Sequence, residues 1–212
     1  MPPKAAKSEK PIVDVKKGTP FDFKYIKILM KKSGNSKDEP KEVYLDRAWI
    51  KKHNAIPHFC NVIKNVEDTE GVEITMNCNH AAFNWLVEMV HLKTDEIETI
   101  SNERPGKAAL TQIQKDTDSK MKLKLAEVNN ENCLNIIVTS YFLQLGWVYT
   151  KVWEGYFKNN FSDVINHCKI SLSSINPIIV NEIGTKMAEI QLENMIERKD
   201  KFISNVYKAR ID

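Results

Sequence analysis

Apolar residues in this chain follow two kinds of spacing, and the order of the two limits what it can fold into. Before residue 77 three short runs have apolar residues that alternate with polar ones, with short helical segments between them. From Asn132 to the end they recur three and four residues apart. Alternation marks a strand buried on one face, and three-to-four spacing marks a helix buried on one stripe. Strands gathered early and helices gathered late predict an α+β fold, with short N-terminal strands and a mostly helical C-terminal half.

The local signals fill in the order. Tyr25 to Met30 predicts a strand, Ser33-Gly34-Asn35-Ser36 a turn, and Glu42 to Leu45 the hairpin partner. Asp46 is an N-cap residue for a short helix carrying Trp49 and Ile50. Pro57 opens a second helix with Phe59, Val62 and Ile63 on its inner side. Val72, Ile74 and Met76 alternate as a third strand. Asn79 then caps a helix bearing Phe83, Leu86, Val87 and Val90. Residues 93–119 are charged and weakly periodic, which predicts an inserted loop with a helical turn around Ala108–Ile113. Met121, Leu123 and Leu125 alternate with Lys120, Lys122 and Lys124, which predicts a fourth strand with a basic face. Helices follow from Leu134 onward. The last carries a stripe of Leu192, Met195, Ile196, Phe202, Ile203 and Val206, interrupted by Lys199.

Residues 1–20 predict a flexible basic arm. There Lys4, Lys7, Lys10, Lys16 and Lys17 outnumber Glu9 and Asp14, and Pro2, Pro3, Pro11, Gly18 and Pro20 punctuate the run. Residues 21–187 make the folded domain, and 188–212 a charged C-terminal helix. A net charge of +3 over 212 residues is too small to predict nucleic-acid binding by the whole domain. The arm and the Lys120, Lys122, Lys124 face suit an acidic partner, either an acidic protein tail or nucleic acid. No stretch is apolar enough to span a membrane, and no leader-like run opens the sequence. With four scattered cysteines, this predicts an intracellular protein. Cytoplasm, cytoskeleton or cilium, and nucleus all remain open.

Chemistry-bearing motifs are sparse. His80 lies two residues after Cys78, but no second ligand pair accompanies it, so no metal is expected. His167 and Cys168 are adjacent, and neighbours on regular structure point apart, so a nucleophile–base pair is not expected there. The glycines are scattered and form no phosphate loop. Neither catalytic residues nor a cofactor are expected. The aromatic-rich stretch from Trp147 to Phe157 divides: Trp153 and Phe157 fit the core, whereas Trp147 and Tyr149 suit an interface.

The element order resembles the BTB/POZ fold. More narrowly, the chain is similar to the BTB region of the SANT-and-BTB-domain regulator family. The likeness is carried by His80, Phe83, Asn84, Trp85 and Leu86 in a His-x-x-Phe-Asn-Trp-Leu stretch. Two further segments add to it: the helices from Ile136 to Phe157 around Ser140-Tyr141-Phe142-Leu143, and Ile175–Lys186 followed by Arg198-Lys199-Asp200-Lys201-Phe202. Two features depart from the family: the length of the 93–119 insertion, and an end where longer members continue into cysteine-containing and SANT segments. The resemblance implies a protein-interaction module without enzymatic activity, a homodimer or an adaptor. Pairing would run through residues 24–32 and 46–64, with Tyr25, Ile28, Trp49 and Ile50 at the interface. Two other readings stay open: a structural subunit of a large assembly, axonemal or cytoskeletal, and a nucleic-acid-associated regulatory factor.

Overall fold

The computed structural model describes residues 14–17, 23–31, 40–168, 170 and 175–208. The chain divides into two compact units, Met1–Ile170 and Ser171–Asp212, rather than at residue 187. In the first, four strands form one sheet: β1 (Asp14–Lys17), β2 (Tyr25–Lys31), β3 (Lys41–Asp46) and β4 (Val72–Asn77). Their spatial order is β1-β4-β2-β3. The hairpin β2–β3 is antiparallel, β4 returns parallel to β2, and β1 pairs antiparallel with β4. The span 1–20 is therefore not all arm, since residues 14–17 close one side of the sheet.

Register explains which face is buried. Ile26 pairs with Leu45 and Val72, Ile28 with Val43 and Ile74, and Met30 with Met76. Paired residues share a face, so these side chains make one apolar layer. All of them are buried except Val43, which is half-buried.

Two short helices link β3 to β4: α1 (Arg47–His53) and α2 (Pro57–Ile63). Asp46 caps α1 by accepting from the Trp49 amide at 2.8 Å, and Pro57 opens α2 as expected. Arg47 was not anticipated as a core residue, yet it is 4% exposed. Its guanidinium donates to the carbonyls of Glu70 (2.8 Å), Val66 (2.9 Å) and Glu67 (2.9 Å), and so fastens the turn after α2.

Helices then fill the rest of the unit: α3 (His80–Glu103), α4 (Lys107–Leu125), α5 (Cys133–Phe142), α6 (Gly146–Val152), a π-helical turn (Trp153–Phe157) and α7 (Phe161–His167). Asn79 caps α3 through the Ala82 amide at 3.0 Å. Phe83, Leu86, Met89 and Val90 of α3 are buried, as are Leu134, Ile136 and Ile137 of α5. The helices run further than the sequence signals indicated. Residues 93–119 are not a loop: α3 continues to Glu103, and α4 starts four residues later, after Arg104 takes a left-handed conformation at φ 44°. Residues 120–125 are likewise helical, not a strand. Leu110, Ile113, Thr117 and Met121 recur at helical spacing and turn inward to different degrees, whereas Leu123 points out.

The second unit is described from Ile175 and consists of α8 (Pro177–Lys208), one continuous helix. No helix among the described residues is long and apolar enough to cross a membrane.

Candidate interaction surface

The strand alternation that buries Ile26, Ile28 and Met30 turns Tyr25, Lys27 and Leu29 to the opposite side of the sheet. Glu42 and Tyr44 of β3 stand beside them in register. Aromatic residues are conspicuous on this side. Tyr25 is 41% exposed and Tyr44 50%. Between the tyrosines, Lys27 Nζ lies 2.7 Å from Glu42 Oε1 and 3.5 Å from Glu73 Oε2. Tyr44 donates its hydroxyl to Glu42 Oε2 at 2.9 Å. Donating to the Glu42 carboxylate raises the Lys27 and Tyr44 pKa values, and accepting those two bonds lowers that of Glu42. The charges therefore satisfy one another within the face, which leaves the aromatic rings as its available area. Large rings with few rotatable bonds over a paired polar network are what protein interfaces enrich.

The sequence-predicted interface residues fall into three groups. Tyr25 belongs to the exposed face. Ile28 and Ile50 are fully buried in the domain's own core and are corrected to core residues: their strand and helix were rightly placed, but they point inward. Trp49 is half-buried and docks α1 on α3. Its indole stacks on His91 at 4.1 Å, and its Nε1 donates to Thr94 Oγ1 at 3.0 Å. Near it, the Lys52 ammonium and the His53 ring both lie 2.7 Å from Glu98 Oε1. Trp147 and Tyr149 are half-buried too. Tyr149 stacks on Trp153 at 5.6 Å, inside a row of rings that runs on through Phe157 to Phe161. Of the lysines read as contacts for an acidic partner, Lys4, Lys7 and Lys10 lie outside the described residues. Lys16 and Lys17 lie on β1, where Lys16 is in register with Glu73.

Sequence reasoning missed two features, one on this face and one on the helices. Tyr44 carries no motif. Pairing Tyr44 with Lys27 across the predicted hairpin would have placed it on the outer face. The second feature is an open groove of about 450 Å³ between α3 and α4, with Leu92 and Leu123 among its lining and Glu88, Lys120 and Lys124 around it. Lys124 bridges to both Glu88 and Glu127 there. Reading residues 120–125 as a strand hid this groove, although the helical spacing from Leu110 to Met121 was a signal for it.

Cysteine and histidine chemistry is subdued in the described residues. Burial pushes the Cys78 and Cys133 thiols up to about 12, so both stay protonated. No group of three His, Cys, Asp or Glu side chains there is arranged to hold a metal ion. His58 packs its ring 4.5 Å from Phe142, with a buried Nε2 that has no hydrogen-bond partner among the described residues. Burial lowers its pKa below the ordinary 6.5. The unfolded chain therefore takes up this proton first, and the His58 contribution to stability is lost as the pH falls from 6.5 through the folded value. Replacing His58 with phenylalanine is expected to shrink the drop in melting temperature between about pH 7.5 and about pH 5.5, as measured by thermal unfolding in paired buffers.

No protein-family model matches this chain, and neither does any curated protein or solved structure. The fold class is α+β, and its most distinctive surface is the aromatic outer face of the sheet.

Proposed function

We propose that this chain is a non-enzymatic protein-interaction domain of the BTB/POZ kind, which pairs with a second copy of itself through the outer face of its sheet. The observation that carries this reading is the pair of rings Tyr25 and Tyr44, solvent-exposed on one face of the sheet beside an internally neutralised Lys27–Glu42 pair. Burying those rings gains apolar area without stranding a charge. The element order supports the BTB-like reading as far as α3: a hairpin, two short helices, a strand parallel to the first hairpin strand, then a helix opened by His80 and carrying Phe83, Asn84 and Trp85.

The test is site-directed photo-cross-linking in the full chain, with a benzophenone side chain in place of Tyr44. A covalent dimer whose cross-linked peptides map to β2 or β3 is the expected product. It should vanish when Tyr25→Glu is added. An absence of intermolecular product at micromolar concentration contradicts pairing through this face.

A structural subunit held by several different neighbours is the second reading. The groove beside Leu123 favours it, since Leu123 is 74% exposed on a side of the domain built from helices rather than from the sheet. Cross-links from Leu123 positions to proteins other than this chain, in extract, would distinguish it from self-pairing.

A further inference from the structure

Strand β3 stands last in the strand order, so one side of it has no neighbouring strand among the described residues. The hairpin register fixes which of its backbone groups face that side. The Arg47 amide donates to the Lys24 carbonyl at 2.9 Å, one step beyond the Tyr25–Asp46 pair. In an antiparallel ladder, hydrogen-bonded pairs alternate with pairs that make no bond to each other. Leu45, Val43 and Lys41 therefore bond to Ile26, Ile28 and Met30. The N–H and C=O groups of Glu42 and Tyr44 point the other way, to the open edge. Main-chain groups left at an edge are a template for a further strand.

The side chains along this edge select the strand that fits. Val43 belongs to the apolar layer, lies at its β3 margin and is only half-buried. Lys41 follows it on the same face and is exposed. No carboxylate pairs with Lys41 among the described residues. Its charge falls instead on His80, where it adds to burial in lowering that pKa. An added antiparallel strand meets Val43 and Lys41 at non-hydrogen-bonded positions, where side chains come closest. An apolar residue there extends the layer past Val43, and a carboxylate two residues further on meets Lys41.

A second copy of β3 does not supply this pattern. Paired residues share a face, so a copy centred on Val43 sets Lys41 against Leu45, and one centred on Tyr44 sets Glu42 against Asp46. The first lays an ammonium over an apolar side chain, and the second opposes two carboxylates. A lysine turned inward on an edge strand is one way in which a sheet avoids its own copies.

We infer that the open edge of β3 takes an extended segment of a different protein as an added antiparallel strand, with a β-branched apolar residue opposite Val43 and a carboxylate opposite Lys41. This contact uses the main chain of β3 and the side chains of its inner face. The self-pairing proposed above uses the outer face, so each stands or falls separately.

The test titrates a synthetic peptide into the isotope-labelled full chain carrying Tyr25→Glu, in which outer-face pairing does not contribute, and follows the backbone amides by NMR. The peptide, capped at both ends, contains Val-Thr-Val-Thr-Glu. Its threonines fall opposite Tyr44 and Glu42, and its second valine and glutamate opposite Val43 and Lys41. Saturable shifts of the Glu42 and Tyr44 amides, with slowed hydrogen exchange at both, are expected. Methylating the threonine amide nitrogens should abolish them, and methylating that of the second valine should not, because only the threonine amides aim at β3. Lys41→Glu should weaken binding of this peptide about tenfold and favour a version with lysine in place of its glutamate. No saturable shift at millimolar peptide overturns the site. Equal sensitivity to methylation at every nitrogen overturns the strand geometry. Protection of the Glu42 and Tyr44 amides that rises with protein concentration alone would mean that a second copy takes the edge, and it overturns the assignment to a different protein.

Discussion

Ile50→Asp is expected to unfold the N-terminal unit rather than to separate subunits. Ile50 is fully buried on α1. The Cys60 thiol also donates to its carbonyl at 3.2 Å, tying α2 to α1 at the same place. An aspartate there loses the transfer energy of a buried isoleucine and must either bury a carboxylate or keep it protonated at similar expense. The combined effect is about 4–5 kcal/mol, a large part of the roughly 5–15 kcal/mol that holds a domain together. Urea unfolding followed by circular dichroism should show little or no folded baseline at room temperature. Trp49→Ala is the instructive comparison. Trp49 is half-buried and joins α1 to α3 by one stack and one hydrogen bond, so its loss should lower the urea midpoint while leaving a cooperative transition. A soluble, cooperatively folded Ile50→Asp chain would mean that α1 is not packed as described.

Arg47→Leu is expected to produce the largest loss among charged positions. Three backbone carbonyls, those of Val66, Glu67 and Glu70, accept from one guanidinium, and leucine supplies no donor to any of them. A buried acceptor left without its partner costs about 1–3 kcal/mol, and the three share one turn, so about 3 kcal/mol in all is reasonable. The ion pair to Asp68 contributes little to this, because that carboxylate is 78% exposed and lies 3.5 Å away. Asp68→Asn should therefore leave the melting temperature nearly unchanged, while Arg47→Leu lowers it by many degrees. Arg47→Lys should recover only part of the difference, since an ammonium cannot reproduce the planar fork that reaches all three carbonyls. Equal melting temperatures for Arg47→Leu and Asp68→Asn would place the stabilisation in the ion pair instead.

What was legible in the sequence follows from how locally each signal is written. Asp46 and Asn79 announce helix starts because a cap is made by the residue itself with an amide three positions on. The three strands from Tyr25 to Met76 announce themselves because each turns every second residue into the apolar layer. Lys120 to Leu125 misled for the same reason. Its lysine–apolar alternation fits a strand, but Met121 and Leu125 also fit one side of a helix, and nothing within six residues decides between them. The 93–119 span read as a loop because its inward positions are polar. Thr94 is buried while accepting from Trp49, and Glu96 is buried beside Lys93, whose Nζ lies 2.6 Å away. Such partners come from packing, not from periodicity. Arg47 was hidden because arginine is seldom buried, and its carbonyl partners lie about twenty positions further along the chain. For the candidate surface, the elements were legible and the facing residues were not. Assigning an interface to whole segments brought in Ile28 and Ile50, which alternation turns inward, and passed over Tyr44, which it turns outward.

The central claim is that the sheet face pairs two copies of this chain. The most direct measurement is molar mass by light scattering on a size-exclusion column, over a wide concentration range. It is made on the full chain. A mass of twice 24.4 kDa, falling to 24.4 kDa when Tyr25→Glu and Tyr44→Glu are added, is the predicted result. A mass of 24.4 kDa at every concentration before the tyrosines are changed would contradict it.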